Sequence, residues 1–179
     1  MFLDYSASHQ IHTDACNEGA GVLFGYDWEY VNWEVDWPEV ANLHINHKET
    51  LAFIIAAKRW APFWSNSIVT VFTDNTCTKG VLNKGSCKNS LIMDNLRDLF
   101  WLSACFNFAI KAVHIPGVEN ITPDTISRIH EPGKLSLLSH LFLDKGIIIF
   151  PNNLRFHMSR KSISLLIFQI LMWLGWRVN

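Results

Sequence analysis

Ile11-His-Thr-Asp14-Ala-Cys16-Asn-Glu-Gly19-Ala-Gly21 sets the frame for the rest of the chain. Ile11 to Thr13 suit an extended strand. Asp14 stands where the apolar pattern gives way to small and turn-forming residues, and Val22, Leu23 and Phe24 begin a second strand. A strand, an acid at its end and a glycine-containing hairpin together hold a carboxylate rigidly at the edge of a sheet. Whether that acid serves chemistry depends on which other acids the chain brings to the same edge.

Outward from this hairpin, three strands are expected in sequence: His12–Cys16, Ala20–Tyr26 and Trp28–Trp37. Gly25, Tyr26 and Asp27 form the second turn, and such short connections make an antiparallel meander. In the third strand Trp28, Tyr30 and Asn32 share one face, and Glu29, Val31 and Trp33 the other. Pro38 ends it. Asn46 reads as a helix N-cap with Glu49 in capping-box relation, opening a helix that runs to about Ala61. Ser67–Thr73 is the clearest strand, rich in β-branched and aromatic residues and apolar enough to be covered on both faces. A short helix over Asn75–Asn83, closed by Lys84-Gly85, precedes a longer one over Ser90–Cys105. Leu91, Leu96, Leu99, Phe100 and Leu102 supply the apolar face of the longer helix. A strand over Asn107–Ile115, a Pro116-Gly117 turn and a helix over 121–130, with Pro123 in its first turn, complete the pattern. A meander followed by strand–helix alternation implies an α/β fold, a mixed sheet flanked by helices with right-handed crossovers.

Composition agrees with a folded domain plus an extension. The 179 residues are 49% hydrophobic, include eight Trp and are only 17% charged, which excludes a disordered chain. The net charge of -1 carries no global nucleic-acid footprint, so a nucleic-acid partner needs a local basic face. Cys16, Cys77, Cys87 and Cys105 form no CxxC pair, and the first residues lack the pattern of a signal peptide. Reduced thiols and an intracellular location, cytoplasmic or nuclear rather than secreted, are expected. The domain is expected over 10–131. Residues 132–179 form an extension of unknown structure whose apolar runs, Leu135–Leu143, Ile147–Phe150 and Ile163–Leu174, carry no motif. Ile163–Leu174 is short of the about 20 residues of a membrane span and is interrupted by Ser164 and Gln169, so it reads as a packed helix or an out-of-context remnant; no membrane partner is expected.

Four acids occupy comparable places. Asp14 and Asp74 end strands; Glu49 and Asp124 lie in first helical turns. If the two strands are parallel neighbours, Asp14 and Asp74 emerge side by side, and the helix starts bring Glu49 and Asp124 to the same edge. Each acid taken singly also has a structural reading, as a cap, a dipole partner or a turn residue. Taken together they are costly unless cations fill the cluster, because like charges raise each other's pKa. Two Mg²⁺ ions resolve that cost and equip the site for phosphodiester hydrolysis.

The segments His12-Thr-Asp14-Ala, Ile45-Asn-His-Lys-Glu49 and Val71-Phe-Thr-Asp74-Asn75 resemble the ribonuclease H domain of retroelement reverse transcriptases. The most specific match is His114-Ile-Pro-Gly117-Val-Glu-Asn120-Ile-Thr-Pro-Asp124-Thr-Ile-Ser-Arg128, which looks like the DIRS-like retrotransposon type. The resemblance spans about residues 10–130. It implies a five-stranded mixed sheet in the order 3-2-1-4-5 and Mg²⁺-dependent cleavage of the RNA strand of an RNA–DNA hybrid, leaving a 5′-phosphate. Asp14, Glu49, Asp74 and Asp124 match the metal-binding acids of two Mg²⁺ ions, for which Mn²⁺ is a possible substitute. His114 matches a histidine that assists proton transfer or product release; its alternative is a plain surface residue. Asn17 and Asn75 are candidates for substrate contacts in the minor groove, with turn or cap roles as alternatives. The implied partners are the hybrid and a reverse transcriptase polymerase domain, which these 179 residues do not contain. Cys16 departs from the usual Ser, and Pro123 from the usual Ala. No basic, Trp-rich substrate handle sits between the later helices, and Lys79, Lys84 and Lys88 are a thin substitute for one. A catalytically silent remnant serving as a scaffold is the competing function.

Other constellations are thinner. His44-x-x-His47 resembles half a zinc site, but no Cys pair with ligand spacing completes it. No P-loop, dinucleotide fingerprint or nucleophile elbow is present. Trp28, Trp33, Trp37, Trp60, Trp64 and Trp101 read as core or strand-face residues.

Overall fold

The computed structural model describes residues 5–144; the runs Ile147–Phe150 and Ile163–Leu174 lie outside them. The strands are β1 (Ala7–Ala15), β2 (Gly19–Phe24), β3 (Asp27–Asn32), β4 (Ser67–Thr73) and β5 (Phe108–His114). They form one sheet in the order β3-β2-β1-β4-β5. β1–β2 and β2–β3 pair antiparallel, whereas β1–β4 and β4–β5 pair parallel. This is the mixed sheet and strand order that the sequence resemblance implies. The helices are α1 (Trp33–Asp36), α2 (Ile45–Trp60), α3 (Thr76–Lys84), α4 (Ser90–Phe106), α5 (Ile121–Ser127) and α6 (Lys134–Leu143). Among the described residues no helix is long and apolar enough to cross a membrane.

α2 is the hub of the main core. Leu51 through Ala57 are all buried, so the helix is covered on nearly every side rather than along one stripe. It packs with Ile11 and Val22 of the sheet and with Trp33, Trp60 and Trp64. The Phe53 and Trp64 rings stack with centroids 6.1 Å apart. The indole N–H of Trp33 donates to the Cys16 carbonyl at 3.1 Å, which anchors the end of β1.

Several boundaries differ from the sequence expectation, each for a local reason. β1 starts at Ala7 rather than His12, because Ala7–Gln10 pair with Ser67–Thr70 of β4. β3 ends at Asn32, not Trp37. The Asn32 side chain accepts the N–H groups of Glu34 and Val35 at 3.1 and 3.2 Å and caps α1, which turns Trp33 into the core. His44, not Asn46, caps α2, its Nδ1 accepting the Asn46 N–H at 3.2 Å. α4 buries Ile92, Asn95, Leu96 and Leu99, while Phe100, expected on the buried face, is 73% exposed. β4 and α3 fall as expected. Asn75 caps α3, and Gly85 closes it at a φ of 67°, the left-handed region open to glycine.

α6 lies beyond the expected domain limit at 131 and closes a second core. Its Leu138 and Phe142 are buried against Leu23 of β2 and Ile126 of α5. Leu138→Ala is expected to cost about 2–5 kcal/mol, the range for emptying a fully buried leucine site. Urea unfolding of the two proteins measures it.

β2 and α5 meet without side chains between them. A methyl group on Gly21 would lie 2.3 Å from the Pro123 carbonyl oxygen and 2.5 Å from the Ser127 nitrogen. Only glycine permits this approach, and it seats the helix that carries Asp124 directly on the sheet beside Asp14.

Candidate active site

Asp14 is the penultimate residue of β1, and Asp74 follows the last residue of β4. Because the two strands are parallel neighbours, both carboxylates leave the sheet at the same edge. Glu49 stands in the second turn of α2 and faces that edge from above. Carboxylate oxygens of Asp14, Glu49 and Asp74 lie within 4.8 Å of one another.

The helix boundary removes the structural reading of Glu49. With His44 as the cap, Glu49 is not in capping-box position, and the Asn46 N–H is already taken by His44. Glu49 is 4% exposed, and its Oε2 has no hydrogen-bond partner. Burial, then Asp14 and Asp74, push its pKa up to about 9, while the Ala15 N–H pulls it back. Asp14, 5% exposed, is raised to about 7 by burial, against the hydrogen bond from Ser127; Asp74 and Asp124 add to the rise. The fold thus holds two carboxyls that resist ionisation until a cation is beside them.

The residues fit a divalent ion. The donor set of Asp14, Glu49 and Asp74 is all carboxylate oxygen, the choice of hard cations such as Mg²⁺. The unpartnered Glu49 Oε2 supplies a lone pair that nothing in the protein uses. Mn²⁺ suits the same oxygens.

The fourth acid is placed differently. Asp124 is in the first turn of α5, as expected, and close enough to raise the Asp14 pKa. Its Oδ1 receives Arg128 Nε at 2.8 Å, and its Oδ2 lies 3.7 Å from Lys134 Nζ. The structure therefore brings three of the four acids into one cluster and holds Asp124 beside them in ion pairs. His114, exposed at the end of β5, has Nε2 3.1 Å from the Asp74 carbonyl oxygen. Gly117 of the following turn leaves room beside Asp74, since a methyl there would sit 3.1 Å from Asp74 Oδ2.

Of the two asparagines, Asn17 lies exposed in the hairpin after β1. Asn75 is engaged at both ends of its amide: Oδ1 accepts the Thr78 N–H at 3.0 Å and Nδ2 donates to Asn46 Oδ1 at 2.9 Å. The Thr78 bond is the cap role that was the alternative to a substrate contact. His44 and His47 form no metal group among the described residues; their rings meet edge-on with centroids 6.5 Å apart.

Three supporting residues escaped the sequence reading. The Ser127 hydroxyl donates to Asp14 Oδ2 at 2.6 Å and fixes that carboxyl from α5. Buried Asn120 donates from Nδ2 to the Thr13 carbonyl at 2.9 Å, tying the start of α5 to β1. Buried Lys48 donates to the carbonyls of Asn17 and Ala41, both at 2.6 Å, and holds the hairpin after Asp14. Ser127 and Asn120 stand inside the His114–Arg128 segment, whose spacing alone hints that they act on β1. Ser127→Ala is expected to weaken Mg²⁺ binding about 10–100-fold, the usual cost of losing a group that orients a ligand. Calorimetric titration of both proteins checks it.

No protein-family model matches the chain. The enzymatic polyprotein of Cauliflower mosaic virus (strain Strasbourg) is 33% identical over 87 residues, 49% of this chain. The match spans only 12% of that polyprotein. Among solved structures, LC11-RNase H1 in complex with an RNA/DNA hybrid superposes with a TM-score of 0.51 at 18% identity. That match covers 66% of this chain and 92% of that one. The same enzyme, isolated from compost by a metagenomic approach, gives a TM-score of 0.50 at 19% identity over 66% and 91% of the two chains. The chain has the ribonuclease H fold.

Proposed function

We propose that this chain is a divalent-metal-dependent endonuclease that hydrolyses the RNA strand of RNA–DNA hybrids. One observation carries the reading: Asp14, Glu49 and Asp74 converge at one sheet edge of a ribonuclease H fold, two of them buried and charge-strained. The His114–Arg128 segment supports an origin in a retrotransposon reverse transcriptase of the DIRS-like type. The resemblance of that same segment extends the reading to a reverse transcriptase polymerase domain as partner, and the free cysteines support an intracellular setting.

Asp14, Glu49 and Asp74 would hold the cations, and Mg²⁺ bound there would supply an activated water and stabilise the departing 3′-oxygen. Ser127 keeps the Asp14 carboxyl aimed. Burial of Glu49 and Asp14 limits competing water at the metal side. His114, exposed with Nε2 3.1 Å from the Asp74 carbonyl oxygen, carries a proton away from the cleavage point in this reading. Asp124 would be a fourth ligand only once its pairs with Arg128 and Lys134 were given up. Asn17 reaches the minor groove, where 2′-hydroxyls distinguish RNA from DNA. The product carries a 5′-phosphate.

The competing reading, a silent scaffold, draws on one observation: both Asp124 oxygens face cations of the protein. Rates on a labelled hybrid, an RNA duplex and a DNA duplex separate the two. The enzyme cuts the RNA of the hybrid at least about tenfold faster than either duplex; a scaffold binds and cuts none.

A further inference from the structure

We propose that Cys16, Glu18 and His130 form a second metal site, selective for a borderline-soft transition ion such as Zn²⁺ and separate from the carboxylate cluster. A ligand atom from each lies within 4.8 Å of the other two. The donors are one sulfur, one oxygen and one nitrogen, the set that zinc takes and Mg²⁺ does not. Sequence spacing conceals the group, because the hairpin between β1 and β2 supplies Cys16 and Glu18, while His130 follows α5.

The site is built as well as close. Cys16 is 4% exposed, and its Sγ accepts the Gly19 N–H at 3.2 Å; burial pushes the thiol pKa up, and this contact acts against that rise. His130 is oriented by Tyr30, whose hydroxyl lies 3.2 Å from Nδ1 and whose ring stacks on the imidazole with centroids 6.1 Å apart. Nδ1–H donated to the Tyr30 oxygen leaves the Nε2 lone pair for the metal, the arrangement usual for metal-bound histidine. Glu18 is exposed and closes the outer side.

On binding, the metal–sulfur bond forms as the S–H bond breaks, and the proton passes to bulk water. The thiol now donates to the Ser127 carbonyl at 3.2 Å, and that donation ends. Three protein donors and one water complete a tetrahedral site. An ion there fastens the hairpin that follows Asp14 to the segment that follows Asp124, so it stiffens the edge on which both acids stand.

The test uses the whole chain freed of metal. Co²⁺ serves as the spectroscopic probe, and Zn²⁺ is titrated against a chromophoric chelator. One equivalent of Co²⁺ gives a thiolate charge-transfer band. The band is lost in Cys16→Ser, and Zn²⁺ affinity falls at least about tenfold in His130→Gln. Asp74→Asn keeps both the band and the affinity, which separates this site from the carboxylate cluster and leaves the ribonuclease reading independent of it. His130 is exposed, so its replacement leaves the fold intact, as circular dichroism verifies. The proposal is overturned if folded protein gives no thiolate band. It is equally overturned if the band survives Cys16→Ser, which assigns it to other thiols, or if His130→Gln binds Zn²⁺ as tightly as the unchanged chain.

Discussion

Asp74→Asn lowers Mg²⁺-dependent cleavage of an RNA–DNA hybrid by more than about a hundredfold while the protein stays folded. Loss of a group that merely orients a metal ligand costs about 10–100-fold, and loss of a ligand costs more. Asp74 is the informative position because it is only half-buried and follows β4 rather than lying within it. Its side chain is not part of the hydrophobic core, and Asn keeps its shape. Activity is therefore lost without an accompanying loss of stability, and circular dichroism with thermal unfolding verifies the second half of that statement.

The second large effect is on stability. Metal-free protein becomes less stable as pH rises from about 5 to about 9. Asp14 and Glu49 have folded-state pKa values raised to about 7 and about 9, above their ordinary values of 3.8 and 4.5. A raised acid binds more protons in the folded state than in the unfolded one. Its stabilising contribution is complete below the ordinary value and is lost as pH climbs through the raised one. Mg²⁺ reverses the trend, because it binds the ionised carboxylates that the bare fold disfavours. At a hundredfold excess over its Kd, a ligand adds about 2.7 kcal/mol, which for a domain of this size is a rise in Tm of roughly 5–10 °C. The increment is larger at pH 8 than at pH 6. Glu49→Gln removes a buried acid that must take up a proton to fold at pH 8, so it raises the metal-free Tm there and abolishes most of the Mg²⁺ response. Differential scanning calorimetry with and without Mg²⁺ measures both. A Glu49→Gln protein less stable than its parent at pH 8 would contradict the electrostatic picture.

Sequence pattern served best where structure is local. Ser67–Thr73 is a dense β-branched run, and Asn75 and Gly85 carry their own capping chemistry, so β4 was legible to the residue and α3 to within one residue at each end. It served worse where a side chain competes with the pattern. Asn32 interrupts an alternating run by capping α1, and His44 captures the Asn46 N–H that a capping box would use. The first part of β1 takes its shape from pairing with β4, a contact that no local periodicity encodes. The α6 core was hidden for a related reason: Leu138 and Phe142 need Leu23 and Ile126, far away in the chain, to be recognised as buried.

The same division applies to the site. The strand-end positions of Asp14 and Asp74 follow from the order of strands, because parallel neighbours release their ends at one edge. The burial of Glu49 was not legible, since it depends on α2 being covered on all sides. The ion pairs of Asp124 were not legible either. Arg128 sits one turn away on the same helix, but Lys134 belongs to the next one. Asn75 was read as a substrate contact or a cap, and its amide makes the cap bond to the Thr78 N–H and a second bond to Asn46. Ser127 and Asn120 needed the approach of α5 to β1 and β2 that Gly21 permits.

Single-turnover cleavage of a hybrid labelled on its RNA strand, run in Mg²⁺ and in chelator, tests whether Asp14, Glu49 and Asp74 form a metal site that hydrolyses that strand. RNA shortened only in Mg²⁺, with 5′-phosphate on the new ends and an intact DNA strand, is the expected result. Folded protein that cuts no faster in Mg²⁺ than Asp74→Asn, with the polymerase domain supplied in trans, would contradict it.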